Sequence, residues 1–192
     1  MESTFISCLS ESFPFLRIGL EHILDLGGYD HMLFVIALCV IYTYREWKQV
    51  AWMVTAFTVG HSLTLLMAVT GWISISSTLV ETLIPVTILI TALHNIWSTS
   101  RSGDKGSSKK EWQYFIAAGF GLIHGLGFSN YLKAMLLEGQ CLSGPLALFN
   151  IGLELGQLVI VIAFLSMARL VLDVLKVPRT KWIQGISVLI AL

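Results

Sequence analysis

Five stretches of the sequence, at about 29–45, 48–70, 79–98, 112–132 and 145–169, are apolar over lengths that reach or approach the ~20 residues a helix needs to cross a bilayer. Backbone polar groups in a bilayer find no water, so segments of this kind fold as helices that satisfy themselves. Charged residues make up only 12% of the chain, against about 25% in a typical soluble domain, and mean hydropathy is +0.77. A sixth apolar stretch begins near Trp182 and runs to Leu192, which at helical rise covers only ~16 Å. The last helix therefore spans in part, or the chain is truncated there. Phe13–Leu26 is mildly amphipathic and ends at Gly27–Gly28, as expected of a short interfacial or re-entrant helix. The expected fold is an all-α polytopic bundle of about six helices with that short N-terminal helix, forming one integral membrane domain over residues 1–192.

Basic residues suggest an orientation. Arg45 and Lys48 flank one turn, Arg101, Lys105, Lys109 and Lys110 lie in a Gly/Ser-rich linker, and Arg169, Lys176, Arg179 and Lys181 follow the fifth stretch. The opposite loops carry almost none, Lys133 being the exception. By the positive-inside rule the three basic loops are cytoplasmic and the N-terminus external. "MESTFISCLSESFPFLR" has no basic region leading into an apolar core, so no cleavable signal peptide is expected. Net charge is zero, which offers nucleic acid no basic field. Cys8, Cys39 and Cys141 share no CxxC spacing, so a finger-type zinc site is not expected. Cys8 and Cys141 both fall on the external side, where they could be oxidised, and Cys39 falls inside the first span.

An ionisable residue inside a span is costly and marks a functional candidate. His61, in "FTVGHSLTLL", comes ~20 Å along its helix from Lys48. His124 lies at a similar depth, and Glu154 lies ~14 Å in from the other side. Asp30 and His31 open the first span, with His22 nine residues earlier across the Gly–Gly break. These positions converge on the outer half of one bundle. Imidazoles with carboxylates suit a divalent transition metal such as zinc, nickel, iron or copper. His22, Asp30, His31, His61, His124 and Glu154 are the candidate ligands, and Asp30 could instead orient a ligand histidine through its other nitrogen. Asn150 and Gln157, one turn either side of Glu154, could line a pathway or simply join helices, and Glu81 opens another span externally. His94 lies near the inner surface, out of reach of the cluster.

Each of these residues also has a plainer reading. A lone histidine in a span is commonly a helix–helix hydrogen-bond partner, and the glycines of "GFGLIHGLGF" permit close helix packing. Two short similarities hint at internal repetition: "FTVGHSL" at 57–63 with "FGLIHGL" at 120–126, and "IGLE" at both 18–21 and 151–154. No HExxH, phosphate loop or dinucleotide fingerprint is present.

"GLEHILDLGGYDHMLFVIAL", "FTVGHSLTL", the Glu81 segment leading to "ALHN", "FGLIHGLGF" and "FNIGLELGQL" together resemble the HupE/UreJ family of bacterial membrane proteins, over most of residues 19–160. The resemblance implies a hydrogenase- or urease-associated accessory protein that handles nickel, acting as a permease or in metal delivery. The HxxxxD signature of classical nickel/cobalt permeases is absent, since Leu66 follows His61 at the fifth position. The alternative is a membrane-embedded metal-dependent hydrolase, in which three histidines hold the ion and Glu154 or Asp30 serves as general base. Expected partners are the lipid bilayer and a metal ion, with a homo-oligomer or maturation partners possible and no nucleic acid.

Overall fold

The computed structural model describes residues 2–102, 111–135 and 141–192, and among these no strand occurs. Seven helices follow in order: α1 Glu2–Leu24, α2 Asp30–Cys39, α3 Trp47–Val69, α4 Ser77–Ser102, α5 Glu111–Met135, α6 Ser143–Arg169 and α7 Arg179–Ala191. Among the described residues, four segments are long and apolar enough to cross a membrane: Tyr44–Val69, Ser77–Ser100, Trp112–Met135 and Ser143–Val174. They match four of the expected spans. The basic linker falls largely outside the described residues.

The first expected span is different. Its α-helix covers only Asp30–Cys39, and ten residues rise ~15 Å, half of a hydrocarbon core. The N-terminal helix is longer than its amphipathic stretch, running from Glu2 to Leu24. It breaks where Asp25 accepts a 2.9 Å hydrogen bond from Gly27 N and caps a short 3-10 turn, Leu26–Gly28. α1, this turn and α2 thus form one broken helix. The exposed Arg17–Glu21 ion pair on α1, at 2.6 Å, is what lowered the apparent hydropathy of the segment.

Glycines determine which helices touch. A Cβ on Gly19 would strike the carbonyl of Phe149, and one on Gly152 the carbonyl of Leu16. The contact is reciprocal, so α1 lies parallel to α6 with backbones in contact. Small residues allow such approach in membranes, where dispersion and weak hydrogen bonds replace the hydrophobic drive. Near one end of the pair Cys8 and Cys141 form a disulfide, while Cys39 is a buried free thiol. Gly60 meets Ala118 and Gly121 meets Phe57 in the same reciprocal way, making α3 and α5 a second parallel pair.

The two sequence repeats therefore fall on paired helices, with different outcomes. The "IGLE" copies pack in register, at the same 133-residue separation as the disulfide. The histidine-bearing copies pack about two residues out of register, because Gly60 lies against Ala118 and Leu122, and Gly121 against Phe57 and His61, rather than each motif position against its counterpart. Both histidine rings nevertheless lie near His31, at 6.0 Å for His61 and 5.0 Å for His124 between centroids.

Short α2 and the turn that follows it take external donors for their carbonyls. The Asn95 amide of α4 donates to Ala37 O at 2.8 Å, and Arg179 of α7 donates to Ile41 O at 2.6 Å. α7 lies beside α4, with Gln184 donating to Ser100, and its Trp182 ring sits 5.6 Å from Phe164 of α6.

Candidate metal centre

The site forms at the break in the N-terminal helix. His22 occupies the last turn of α1, His31 the first turn of α2, and His61 the middle of α3. One ring nitrogen from each lies within 4.8 Å of the others. Two ligands on a tetrahedral zinc stand ~3.4 Å apart when each bond is ~2.0–2.1 Å, so small side-chain rotations would close the gap. The helix ends suit a cation. α1 presents its C-terminal carbonyls, the negative end of its dipole, and Asp30 offsets the positive end of α2.

Burial sharpens the case. His61 is 0% exposed and His31 7%, while His22 is half-buried. Among the described residues, His22 Nε2, His31 Nε2 and both nitrogens of His61 are buried with no hydrogen-bond partner in the protein. Leaving a buried polar atom unpaired costs ~1–3 kcal/mol, so a fold rarely gathers several without a ligand to meet them. Apolar rings wall the cluster. Phe128 lies 4.2 Å from His22 between ring centroids, and Phe149 lies 6.3 Å from His61.

His124 adjoins this trio, its ring 5.0 Å from that of His31, but it is held differently. Its Nε2 lies 3.1 Å from Thr87 Oγ1. The Thr87 hydroxyl already gives its one proton to Ile84 O at 2.7 Å. With that proton on Ile84 O, the matching tautomer of His124 donates through Nε2–H and carries its lone pair on Nδ1. That Nδ1 is buried and has no protein partner. Fixing the tautomer of a ligand imidazole through its far nitrogen is how proteins prepare one for a metal.

The remaining expected residues stand apart from the trio. Glu154 accepts a 2.5 Å hydrogen bond from Thr55, and Gln157 accepts one of 2.8 Å from Thr58. These pairs cross the α3–α6 seam one to two turns along α3 from His61. Asn150 is half-buried, with its Oδ1 unpartnered. Asp30 is half-buried at the start of α2 and outside the trio, and Glu81 and His94 are exposed on α4. Sequence reasoning missed Thr87, Thr55 and Thr58. A threonine in an apolar helix gives no signal of its own, because its hydroxyl can bond to its own backbone.

Comparison with curated proteins gave no match, and comparison with solved structures gave none either. A family model described as HupE / UreJ protein matches residues 3–192, essentially the whole chain, and on that ground the chain belongs to the HupE/UreJ family.

Proposed function

We propose that this chain binds a divalent transition-metal ion, nickel or zinc, inside the bilayer at His22, His31 and His61, and passes it across the membrane or on to a maturing metalloenzyme. The observation that carries this reading is the meeting of three imidazoles from three helices with their buried nitrogens unpaired. Family membership favours nickel-type cargo. The positive-inside rule makes the end bearing Arg45, Arg169 and Arg179 cytoplasmic and the disulfide end external, in a bacterial inner membrane. The hydrolase alternative needs a carboxylate at the ion. Glu154 is engaged by Thr55 and Asp30 stands outside the trio, so the geometry favours holding an ion over activating water on it.

The test is metal entry into proteoliposomes, followed with a trapped metal-sensitive dye, alongside equilibrium binding of Ni2+ and Zn2+ to the purified protein. Saturable entry that His61→Ala abolishes, with about one ion bound per chain, supports the reading. Binding without entry would leave metal delivery as the function, and no binding at all would overturn both.

A further inference from the structure

A cavity of about 460 Å³ opens between α2, α3, α4 and α5. Along α5 it extends from Trp112 to Ile123, a rise of ~16 Å. Half of a hydrocarbon core is ~15 Å, so the cavity runs the depth of one leaflet's acyl region. Its lining comes from three spanning helices, from α2 and from the turn after α2. It begins at the basic end, where Trp112 follows the linker that carries Lys109 and Lys110. Pockets of ~300–1,000 Å³ with a mostly apolar wall and a few polar groups to fix orientation are the usual form of a small-molecule site.

The chemistry of the lining changes along that depth. Leu38, Ile41, Met53, Ile90 and Ile116 make most of the wall hydrocarbon, which suits neither an ion nor a column of water. Thr91 and Asn95 also border it, but their donors are spent on backbone carbonyls. Thr91 donates its hydroxyl proton to Thr87 O, and Asn95 its amide to Ala37 O. His94, Trp112 and Gln113 border the basic end. Tyr42 donates to Gln113 Oε1 at 2.6 Å, which leaves the Gln113 amide hydrogens to bond elsewhere. The Trp112 indole and the His94 ring each bring a further N–H. The result is a hydrocarbon slot with hydrogen-bond donors at one end.

We propose that this cavity binds a single phospholipid from the leaflet on the basic side, with one acyl chain laid along α5 and its ester oxygens at Gln113, Trp112 and His94. The two ends of the site match the two ends of the ligand. Ester and phosphate oxygens only accept hydrogen bonds, and the basic end supplies donors. The chain is apolar over the depth of one leaflet, and so is the slot. Bilayer tails are as apolar as leucine, so the hydrophobic effect does not select one tail over its neighbours. Dispersion contact with four helices at once, together with the donors, sets this tail apart from those around the bundle. The chain also packs against Ala37 and Leu38, on the flank of the half-length helix that carries His31. Neither the slot nor its donors depend on a metal being bound.

Native mass spectrometry of the detergent-purified protein reads the occupant by its mass. A single phospholipid per chain is expected to survive delipidation. Gly119 lines the cavity, and a Cβ added there meets nothing within 4 Å, so Gly119→Leu fills the slot without striking a neighbouring helix. Its phospholipid retention is expected to fall about tenfold, in line with the cost of overpacking a filled cavity. Added phospholipid should raise the unfolding temperature of the delipidated unaltered protein, and that rise should vanish in Gly119→Leu. Gly185 of α7 is equally open and lies outside the cavity, so Gly185→Leu should match the unaltered protein in both measurements. A second probe needs no substitution. The unaltered protein is placed in nanodiscs with a phospholipid that carries a photoreactive diazirine in its acyl chain, and is then illuminated. Adducts are expected on Ile116 and Ile123, which line the cavity, beside those that exposed Phe115 collects from any surrounding lipid. Three results each overturn the proposal: equal retention in Gly119→Leu and the unaltered protein, a fatty acid or detergent molecule as the only occupant, or adducts on Phe115 with none on Ile116 and Ile123.

Discussion

Around His61 the imidazoles keep buried nitrogens without a protein partner, whereas three and six residues away on the same helix Thr58 and Thr55 give their hydroxyl protons to Gln157 and Glu154. Both regions place polar side chains inside a bundle of apolar helices. In the seam both threonine bonds are made and Gln157 Nε2 is left over, whereas around His61 four ring nitrogens of three histidines lack a partner. A satisfied pair joins helices, and in membranes such bonds are worth ~0.6 kcal/mol on average. An unsatisfied group costs more than that, and the cost is recovered when a ligand arrives. Side-chain pairing, more than polarity or depth, therefore separates a binding site from a seam.

The comparison breaks first at His61. Replacing it with alanine should weaken metal binding by more than the ~10–100-fold typical of losing an outer partner, while metal-free stability holds or rises because two unpaired nitrogens are gone. Competitive titration and thermal unfolding read the two effects separately. A metal affinity left within a few-fold would make His61 a packing residue. Asp25→Ala is the next step down. It removes the side-chain cap from the turn that sets His22 against His31, and a lost cap costs ~1 kcal/mol. Expressed at the site, that is a roughly fivefold weaker metal affinity, measurable by the same titration.

The seam should behave in the opposite way. Thr58→Val should lower stability by ~0.6 kcal/mol, with ~1.7 kcal/mol as the upper range for such bonds, and leave metal affinity unchanged. Loss of metal binding there would mean that the seam and the site are one network. The smallest effect is expected at His94→Ala. This exposed residue lies on α4 away from the trio, and equilibrium metal affinity should not move.

Much of this was legible in the sequence, and the limits have physical causes. Hydropathy located α3 to α6, because a span must hide its backbone whatever its neighbours are. The histidines stood out because an imidazole among leucines is expensive. The role of α1 was harder to read. Arg17 and Glu21 give it the composition of an interfacial helix, and nothing local shows that Gly19 lies against Phe149 of α6. A signal was available in the shared separation of the "IGLE" copies and of Cys8 from Cys141. Glu154 was grouped with the histidines from depth alone, but depth does not specify which way a side chain reaches, and here it reaches Thr55. The tautomer of His124 depends on Thr87, thirty-seven residues away, and such a pairing is invisible until the helices are placed.

The central claim is that three imidazoles from α1, α2 and α3 hold one ion. X-ray absorption at the metal edge of the protein loaded with one equivalent of Zn2+ tests it most directly. The account predicts a first shell of nitrogen and oxygen at ~2.0–2.1 Å with the outer-ring scattering of about three imidazoles. His22→Ala and His31→Ala should each remove one imidazole from that pattern, and Glu154→Gln should leave it unchanged. A shell of oxygen alone, or an imidazole count that does not respond to His22→Ala and His31→Ala, would contradict it.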